Sequence, residues 1–387
     1  CMRLIHCLNN ISAHGTDLLD PETYSLTDSL DEAEGILVRS AAMHDMKFPA
    51  GLRAIARAGA GVNNIPLDRC ADEGIVVFNT PGANANAVKE IVLCALLLGS
   101  RDILGGIDWC RENADDENIA KAAEKAKKQF AGQEIKGKKL GVIGLGAIGG
   151  LVAHAAHSLG MEVYGFDPFL SVDAAWSLSR GVRHAASREQ IFAECDYITV
   201  HTPLTPETKD MFCAASFATM KDGVRILNFA RAELVNAADM KEALASGKVA
   251  AYVVDFPTDE VLGVPGVIAI PHLGASTPES EDNCAVMAVD ELKAYLEDGV
   301  IRNSVNFPSV DVPRSTDHRL CVLHRNIPNM LTGISGAVSA EGINIETMTN
   351  RSKKDYAYTI LDVVGDPSDE SLDKIRAIDG VIRLRKI

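Results

Sequence analysis

The sequence of 387 residues has no long hydrophobic run. Its longest uninterrupted apolar stretch spans residues 91–99, far short of the roughly 20 residues that a membrane-spanning helix requires. The first residues lack the basic segment and apolar run of a secretory signal, and Cys1 before Met2 resembles a cloning remnant. These absences predict a cytoplasmic protein with no membrane partner.

Basic residues and paired cysteines are also scarce. Lys and Arg number 38 against 53 Asp and Glu, for a net charge of −15, and no basic run alternates with aromatic residues. Because a surface of this charge repels phosphate backbones, we expect no nucleic-acid partner. The nine cysteines include no C-x-x-C pair, so we interpret them as reduced core thiols and expect no metal site.

What the sequence does contain is a regular alternation of short apolar runs with helix-compatible segments. Four strands are predicted near the N-terminus, at residues 3–6, 35–38, 53–56 and 75–78. Six more are predicted at residues 139–144, 162–166, 197–201, 224–228, 250–255 and 267–270. This alternation predicts two doubly wound α/β lobes with parallel sheets. Apolar residues at helical spacing over residues 87–103 predict one long amphipathic helix.

The C-terminal part follows a different pattern. Residues 304–317 contain two prolines among mostly polar neighbours and predict a linker. From residue 318 to residue 387 the order strand, helix, strand, strand, helix, strand is predicted. The chain therefore ends in a small α+β domain.

A glycine-rich loop follows the first strand of the second lobe. The sequence Gly144-Leu145-Gly146-Ala147-Ile148-Gly149 opens a helix directly after that strand. The first glycine permits a tight turn, the second lets a pyrophosphate approach the backbone, and the third allows close helix–strand packing. The next strand ends at Asp167, at the spacing expected of a carboxylate that binds a ribose hydroxyl. These features predict a Rossmann lobe and favour NAD over NADP.

Polar residues follow three later strands of this lobe: Arg231, then Asp259 and Glu260, then His272. Because the carboxyl ends of parallel strands share one edge of the sheet, we expect these residues to form one site. His272 suits a general base because imidazole titrates near neutrality. The guanidinium of Arg231 suits a substrate carboxylate. Glu260 or Asp259 would hold the imidazole in one orientation, although each residue taken singly is also typical of a structural role.

Together these motifs resemble the D-isomer-specific 2-hydroxyacid dehydrogenases. Besides the glycine loop, the resemblance rests on residues 57–65 (RAGAGVNNI), 79–82 (NTPG), 201–208 (HTPLTPET), 228–231 (NFAR) and 271–274 (PHLG). It implies a flavodoxin-like substrate lobe (1–84 and 276–303), a Rossmann NAD lobe (85–275), a linker (304–317) and an ACT regulatory domain (318–387). The catalytic set of the family then falls on Arg231, Glu260 and His272, since spacing from Arg231 favours Glu260 over Asp259.

The resemblance also implies the ligand contacts. Those to NAD are Gly144, Gly146, Ala147, Ile148, Gly149, Asp167, His201, Thr202, Pro203, Ala230 and Asp255. Those to the substrate are Arg39, Ser40, Arg57, Ala60 and Gly61. An effector, L-serine, would bind at His324, Asn326 and Asn344 between the subunits of a homo-oligomer, a dimer or a tetramer. The family usually has glycine where Ala232 and Asn329 stand here.

Arg39 and Arg57 lie just after predicted strands of the first lobe, where they are available for a second anion such as a phosphate. With the resemblance, this favours NAD-dependent oxidation of D-3-phosphoglycerate to 3-phosphohydroxypyruvate, the first step of serine biosynthesis. Two alternatives stay open. One is a dehydrogenase or reductase of another small 2-hydroxy acid, such as lactate or glyoxylate, and the other is a non-catalytic NAD-sensing corepressor.

Overall fold

The computed structural model describes residues 2–387, with the side chain of Asp173 excepted. The chain forms two units: one comprises the chain up to Asn84 together with Pro278–Ile387, and the other is Ala85–Thr277. The C-terminal tail therefore belongs to the same unit as the N-terminal lobe. Among the described residues, no helix combines the length and the apolar character needed to cross a bilayer.

The N-terminal strands form one parallel sheet of order β2-β1-β3-β4-β5. They are β1 (Arg3–Cys7), β2 (Tyr24–Thr27), β3 (Gly35–Val38), β4 (Ala54–Arg57) and β5 (Val76–Phe78). Two short helices, α1 (Ala13–Thr16) and α2 (Leu67–Asp72), lie between strands. β3 and β5 are buried throughout, which explains why apolar runs predicted them. The sequence did not predict the edge strand β2, because its central residues Ser25 and Leu26 are exposed.

The second unit contains a seven-stranded parallel sheet of order β12-β11-β10-β9-β6-β7-β8. Its strands are β6 (Lys139–Ile143), β7 (Glu162–Phe166), β8 (Val182–His184), β9 (Tyr197–Val200), β10 (Val224–Asn228), β11 (Val249–Val254) and β12 (Val267–Ala269). Its helices are α3 (Ala85–Leu98), α4 (Ile103–Glu112), α5 (Ile119–Ala126), α6 (Ala147–Ser158), α7 (Val172–Ser177), α8 (Arg188–Glu194), α9 (Ala214–Thr219) and α10 (Ala237–Ala245). The strand order reverses between β6 and β9, the point at which ligands bind in such sheets. The predicted Rossmann lobe is confirmed, with β8 as an additional strand.

The long helix predicted over residues 87–103 is wrong in its extent, because α3 ends at Leu98 and α4 begins at Ile103. The buried hydroxyl of Ser100 donates to the carbonyl oxygen of Leu96, 2.6 Å away, and such side-chain bonds compete with helix continuation. Asp102 then caps the new helix by accepting a hydrogen bond from the N–H of Gly105.

After the long helix α11 (Pro278–Asp298), the tail forms an antiparallel sheet of order β14-β15-β13-β16. The elements are β13 (His318–Arg325), α12 (Met330–Ser339), β14 (Asn344–Lys353), β15 (Tyr356–Val364), α13 (Asp369–Arg376) and β16 (Val381–Lys386). This confirms the predicted order of strands and helices. Asn329, which precedes α12, has a left-handed φ of 67°. Asn tolerates this conformation better than most residues, so it can occupy a position usually held by glycine.

A single hydrophobic core joins the tail to the N-terminal sheet. Tyr358 of the tail sheet, Tyr295 of α11 and Phe78 of β5 are all fully buried within it. Phe307 and Val310, from the segment predicted as a linker, are buried in the same core at 0% and 2% exposure. Polar neighbours and prolines around these two residues hide the apolar pattern in the sequence. Part of residues 304–317 is therefore packed structure.

The cysteines are only partly core residues. Eight in the described part of the chain are free thiols, four of them buried: Cys70, Cys195, Cys284 and Cys321. Cys94 and Cys110 are exposed, which corrects the interpretation as core thiols for both. Cys94 lies off the buried stripe of α3, which includes Val92 and Ala95. Cys1 lies outside the described residues.

A buried ion pair fastens the tail sheet to the preceding segment. The guanidinium of Arg319 and the carboxylate of Asp362 are both 0% exposed and form two bonds, of 2.6 and 2.9 Å. Arg319 also donates to the carbonyl oxygens of Asp298 and Val312, at 2.9 and 3.2 Å. Burial acts to raise the pKa of Asp362, but hydrogen bonds from Arg319 and Ser315 outweigh it and lower the pKa. The pair thus links α11, the predicted linker and the tail.

We predict that Asp362→Asn lowers the free energy of unfolding by about 3–5 kcal/mol, because it leaves the Arg319 charge buried and unpaired. Urea denaturation followed by circular dichroism measures this. Since the folded pKa of Asp362 is depressed, the stabilisation is present above the unfolded-state pKa of about 3.9 and is lost as the pH falls through the folded value. The matched control is Asp366→Asn, which breaks an exposed ion pair with Lys386. Equal losses in the two variants would contradict the prediction.

Candidate active site

The glycine loop has the shape that a pyrophosphate requires. Gly144 has a φ of 88°, and a Cβ there would lie 2.5 Å from the carbonyl oxygen of His201. A Cβ on Gly149 would lie 1.9 Å from the carbonyl oxygen of Gly144. A Cβ on Gly146 would meet nothing within 4 Å. The first and third glycines therefore permit close packing, while the second faces open space before α6, which begins at Ala147.

Two polar side chains just after β9 each have one atom without a hydrogen-bond partner among the described residues. His201 Nδ1 and Thr202 Oγ1 are buried and accept or donate no hydrogen bond within the described residues. The other ring nitrogen of His201 lies 2.9 Å from Thr199 Oγ1. Burial lowers the pKa of His201 to about 4, so the ring is neutral at physiological pH. Because buried polar groups are normally bonded, these two atoms are suited to a ligand at the point where the strand order reverses.

Asp167, at the end of β7, supports the same loop. Its Oδ2 accepts a hydrogen bond from the N–H of Leu145 at 2.9 Å, and its Oδ1 accepts one from Phe169 at 2.9 Å. Each oxygen keeps a lone pair for a further donor, such as a ribose hydroxyl. The ribose contact itself stays a prediction. Together, the open side of Gly146, the unpartnered atoms after β9 and this carboxylate fit NAD.

Asn228, at the end of β10, holds the loop that carries Arg231. It is fully buried, its Oδ1 accepts from the N–H of Ala230 at 3.2 Å, and its Nδ2 donates to the carbonyl oxygen of Arg231 at 2.8 Å. The guanidinium of Arg231 is exposed, and one of its nitrogens donates to the carbonyl oxygen of Ala230 at 2.6 Å. Its remaining donors are available to an anion.

Asp255 and Phe256 position His272. The carboxylate of Asp255 is 2% exposed and accepts hydrogen bonds from the N–H groups of Leu273 and Gly274, at 2.7 and 2.9 Å. Burial raises the pKa of Asp255, and these bonds and the charge of His272 oppose the rise. The Phe256 ring centroid lies 4.8 Å from that of the imidazole. His272 is exposed and has a left-handed φ of 49°, a strained conformation of the kind found at functional sites.

Among the described residues, neither candidate acid forms a hydrogen bond or an ion pair with His272. Glu260 and Asp259 are both exposed, and within residues 2–387 no hydrogen bond joins either to the imidazole. Glu260 instead lines a cavity of about 430 Å³ together with Lys209 and Phe256. The choice of Glu260 over Asp259 therefore stays a prediction, as does the contact of Asp255 with the cofactor.

In the first unit, Arg39 and Arg57 lie next to each other at the ends of β3 and β4. Asn9 accepts hydrogen bonds from the N–H groups of Arg39, Ser40 and Ala41, at 2.8, 3.1 and 3.2 Å. Arg57 Nε donates to the carbonyl oxygen of Arg39 at 2.9 Å. Asn9 was not among the predicted site residues, although it follows β1 just as Arg39 follows β3. The Ser40 side chain is exposed on this loop.

The loop after β4 packs against the guanidinium of Arg57. Gly59 has a φ of 153°, and a Cβ there would lie 2.5 Å from Arg57 Nη1, so only glycine lets the guanidinium lie against the loop. The N–H groups of Ala60 and Gly61 donate no hydrogen bond in the part of the chain that the structure describes. A Cβ on Gly61 would lie 3.7 Å from Arg57 Nη1, so the guanidinium lies beside the backbone of this loop.

The three residues predicted to bind an effector do not come together within one chain. His324 is 2% exposed, and its ring nitrogens lie 2.7 Å from the carbonyl oxygen of Arg325 and 2.8 Å from Thr359 Oγ1. Asn326 Nδ2 donates to the carbonyl oxygen of Lys354 at 3.0 Å. Asn344 lies at the opposite end of the tail sheet, paired with Val364. A serine site shared between subunits stays a prediction.

Known proteins resemble the chain over most of its length. A family model of the D-isomer specific 2-hydroxyacid dehydrogenase, NAD binding domain, matches residues 97–274. D-3-phosphoglycerate dehydrogenase of Escherichia coli (strain K12) is 31% identical over 339 residues, which are 84% of this chain and 79% of that protein. The protein of the same name from Rattus norvegicus is 33% identical over 311 residues, 76% of this chain and 56% of its own length.

Solved structures agree with these relatives. NAD⁺-bound 3-phosphoglycerate dehydrogenase of Entamoeba histolytica has a TM-score of 0.61 and 25% identity, and the match covers 79% of this chain and 99% of that one. A D-2-hydroxyisocaproate dehydrogenase has a TM-score of 0.65 and 21% identity over 79% of this chain and all of its own, a likeness of fold alone. Because the curated relatives and the family model agree, the chain belongs to the D-isomer specific 2-hydroxyacid dehydrogenase family.

Proposed function

We propose that this enzyme oxidises D-3-phosphoglycerate to 3-phosphohydroxypyruvate with NAD, the first step of serine biosynthesis. The observation that carries the proposal is the presence of two separate sets of anion donors. Arg231 is exposed in the second unit, and Arg39 and Arg57 lie with the N–H groups of Ala60 and Gly61 in the first. D-3-phosphoglycerate has two anionic groups, a carboxylate and a phosphate, whereas lactate or glyoxylate has only one.

The roles of the residues follow from their chemistry. NAD, when bound, supplies the acceptor for the hydride from C2 of the substrate. Arg231 binds the substrate carboxylate through its planar fork. His272 takes the proton of the C2 hydroxyl, so that a ketone and an imidazolium are left. Asp255 keeps the His272 loop in place through its bonds to Leu273 and Gly274.

We also propose that the chain forms a homo-oligomer. Helix α4 leaves three apolar side chains, Ile103, Leu104 and Ile107, at 38%, 44% and 42% exposure, and clustered apolar residues of this kind often mark protein interfaces. A second copy is also needed if Asn326 and Asn344 are to bind one L-serine molecule, because these two residues lie at opposite ends of the tail sheet.

The first test is turnover with a panel of D-hydroxy acids and NAD or NADP, measured at the absorbance band of the reduced cofactor. We expect kcat/KM for D-3-phosphoglycerate with NAD to exceed that for D-lactate by about two orders of magnitude, because lactate loses two charge-assisted hydrogen bonds. Oxidation of D-lactate with equal efficiency, or a preference for NADP, would contradict the proposal.

For the general base, we predict that His272→Asn lowers kcat by roughly 10²–10⁴-fold and leaves the Kd for NADH nearly unchanged. Asn is chosen because it tolerates the left-handed backbone at this position. Stopped-flow kinetics and NADH fluorescence titration measure the two quantities. His184→Asn, which changes an exposed histidine at the end of β8, is the control. A variant with near-normal turnover would remove His272 from the mechanism.

The acid is identified by comparing Glu260→Gln with Asp259→Asn. We expect Glu260→Gln to move the acid limb of the kcat/KM profile to lower pH, because loss of a neighbouring carboxylate makes the imidazolium less stable. Asp259→Asn is the matched control and should leave the limb in place. The reverse pattern would assign the role to Asp259, and an unmoved limb in both variants would exclude both acids.

A further inference from the structure

The two arginines of the first unit differ in their ionic partners. Arg39 Nη2 lies 2.7 Å from Oε1 of Glu281, and the side chains are 40% and 48% exposed. Among residues 2–387, no carboxylate pairs with Arg57. One of the two guanidinium groups expected to bind an anion is therefore already bound to a carboxylate of the same chain.

Rigid contacts hold Glu281 at this place. It lies near the start of α11, and the next residue, Asp282, accepts a hydrogen bond from the hydroxyl of Ser12 in the loop after β1. Helices α1 and α11 pack so closely that a Cβ on Gly15 would lie 2.6 Å from the backbone of Ala285. The backbone of Arg39 is fixed in turn by Asn9. Packed elements thus hold the backbones of both residues of the ion pair, while their side chains are 40% and 48% exposed.

From this geometry, and resting on the proposed function, we propose that Glu281 is a specificity-determining residue that competes with the substrate's phosphate for Arg39. A carboxylate and a phosphate oxygen use the same guanidinium donors. The phosphate therefore competes with Glu281 for the Nη2 donors of Arg39 and is repelled by the neighbouring carboxylate, and both effects raise the KM. A hydroxy acid without a second anionic group does not bind Arg39 and therefore does not compete with Glu281.

The size of the effect follows from the exposure of the pair. Exposed ion pairs contribute little to a folded state, and breaking one typically changes an equilibrium by about 1.4- to fivefold. We expect Glu281→Gln to tighten phosphate binding within that range. Glutamine keeps the size of the side chain and removes only the charge.

The binding test uses inorganic phosphate and the full chain in isothermal titration calorimetry. We expect the Kd for phosphate to fall about two- to fivefold in Glu281→Gln. The matched control is Glu279→Gln, which removes the same charge from the same first turn of α11 and should leave the Kd unchanged. In an Arg39→Gln background, Glu281→Gln should have no effect, because the group for which it competes is absent.

The kinetic test compares D-3-phosphoglycerate with D-glycerate, the same acid without phosphate. We expect Glu281→Gln to lower the KM for phosphoglycerate by the same factor as the Kd for phosphate, with the change in KM rather than in kcat. The KM for D-glycerate should not move. This split separates competition from a general effect on the fold.

Two results would overturn the proposal. One is a Kd for phosphate that is unchanged or higher in Glu281→Gln, which would make Glu281 a residue that positions Arg39. The other is an equal effect of Glu279→Gln, which would reflect general charge repulsion. Failure of the proposed function is distinguishable from both: wild type would then fail to oxidise phosphoglycerate, while the calorimetric effect of Glu281→Gln on phosphate would persist.

Discussion

The candidate site depends on four side chains that bind the backbone of strand-end loops. Asn9, Asp167, Asn228 and Asp255 each accept hydrogen bonds from N–H groups that no strand or helix satisfies. Parallel strands leave such groups at their carboxyl ends, where an unsatisfied N–H is costly once buried. The side chains that meet this cost also fix the loops that present Arg39, Arg231 and His272. In this protein, the hydrogen bonds that satisfy the backbone N–H groups are therefore the same bonds that hold the functional loops in place.

Sequence patterns predicted the strands well where consecutive residues of the strand are buried. β7 and β10 were predicted with the same bounds as the structure shows, because apolar runs between turn residues identify buried parallel strands. The glycine loop was also predicted correctly. Backbone atoms crowd Gly144 and Gly149 so closely that no side chain fits there, and the glycines are therefore visible in the sequence. The helix break at Ser100 was not predicted, because it depends on a hydroxyl that contacts Tyr197, 97 residues away.

The position of the tail also depends on contacts between residues that are far apart in the sequence. Its strand order was predictable, but its attachment was not, because Arg319 reaches the carbonyl oxygen of Asp298 and Tyr358 shares a core with Tyr295 only in three dimensions. A core shared with the N-terminal sheet also changes how the tail can act. A ligand that reorders the tail sheet would disturb the packing behind β4 and β5, from which Arg57 and its loop extend. A free tethered domain would offer no such route.

The net charge of the chain, −15, opposes the binding of an anionic substrate and an anionic cofactor. Screening shortens the reach of the net charge to about 8 Å at physiological ionic strength. On the proposed function, local groups decide within that distance: the guanidinium of Arg57 and the N–H groups of Ala60 and Gly61 act as donors, and the open side of Gly146 leaves space for the cofactor. On the proposed function, binding follows from short, directed hydrogen bonds at these strand ends. A single misplaced carboxylate near those donors matters more than the many acidic residues elsewhere on the surface.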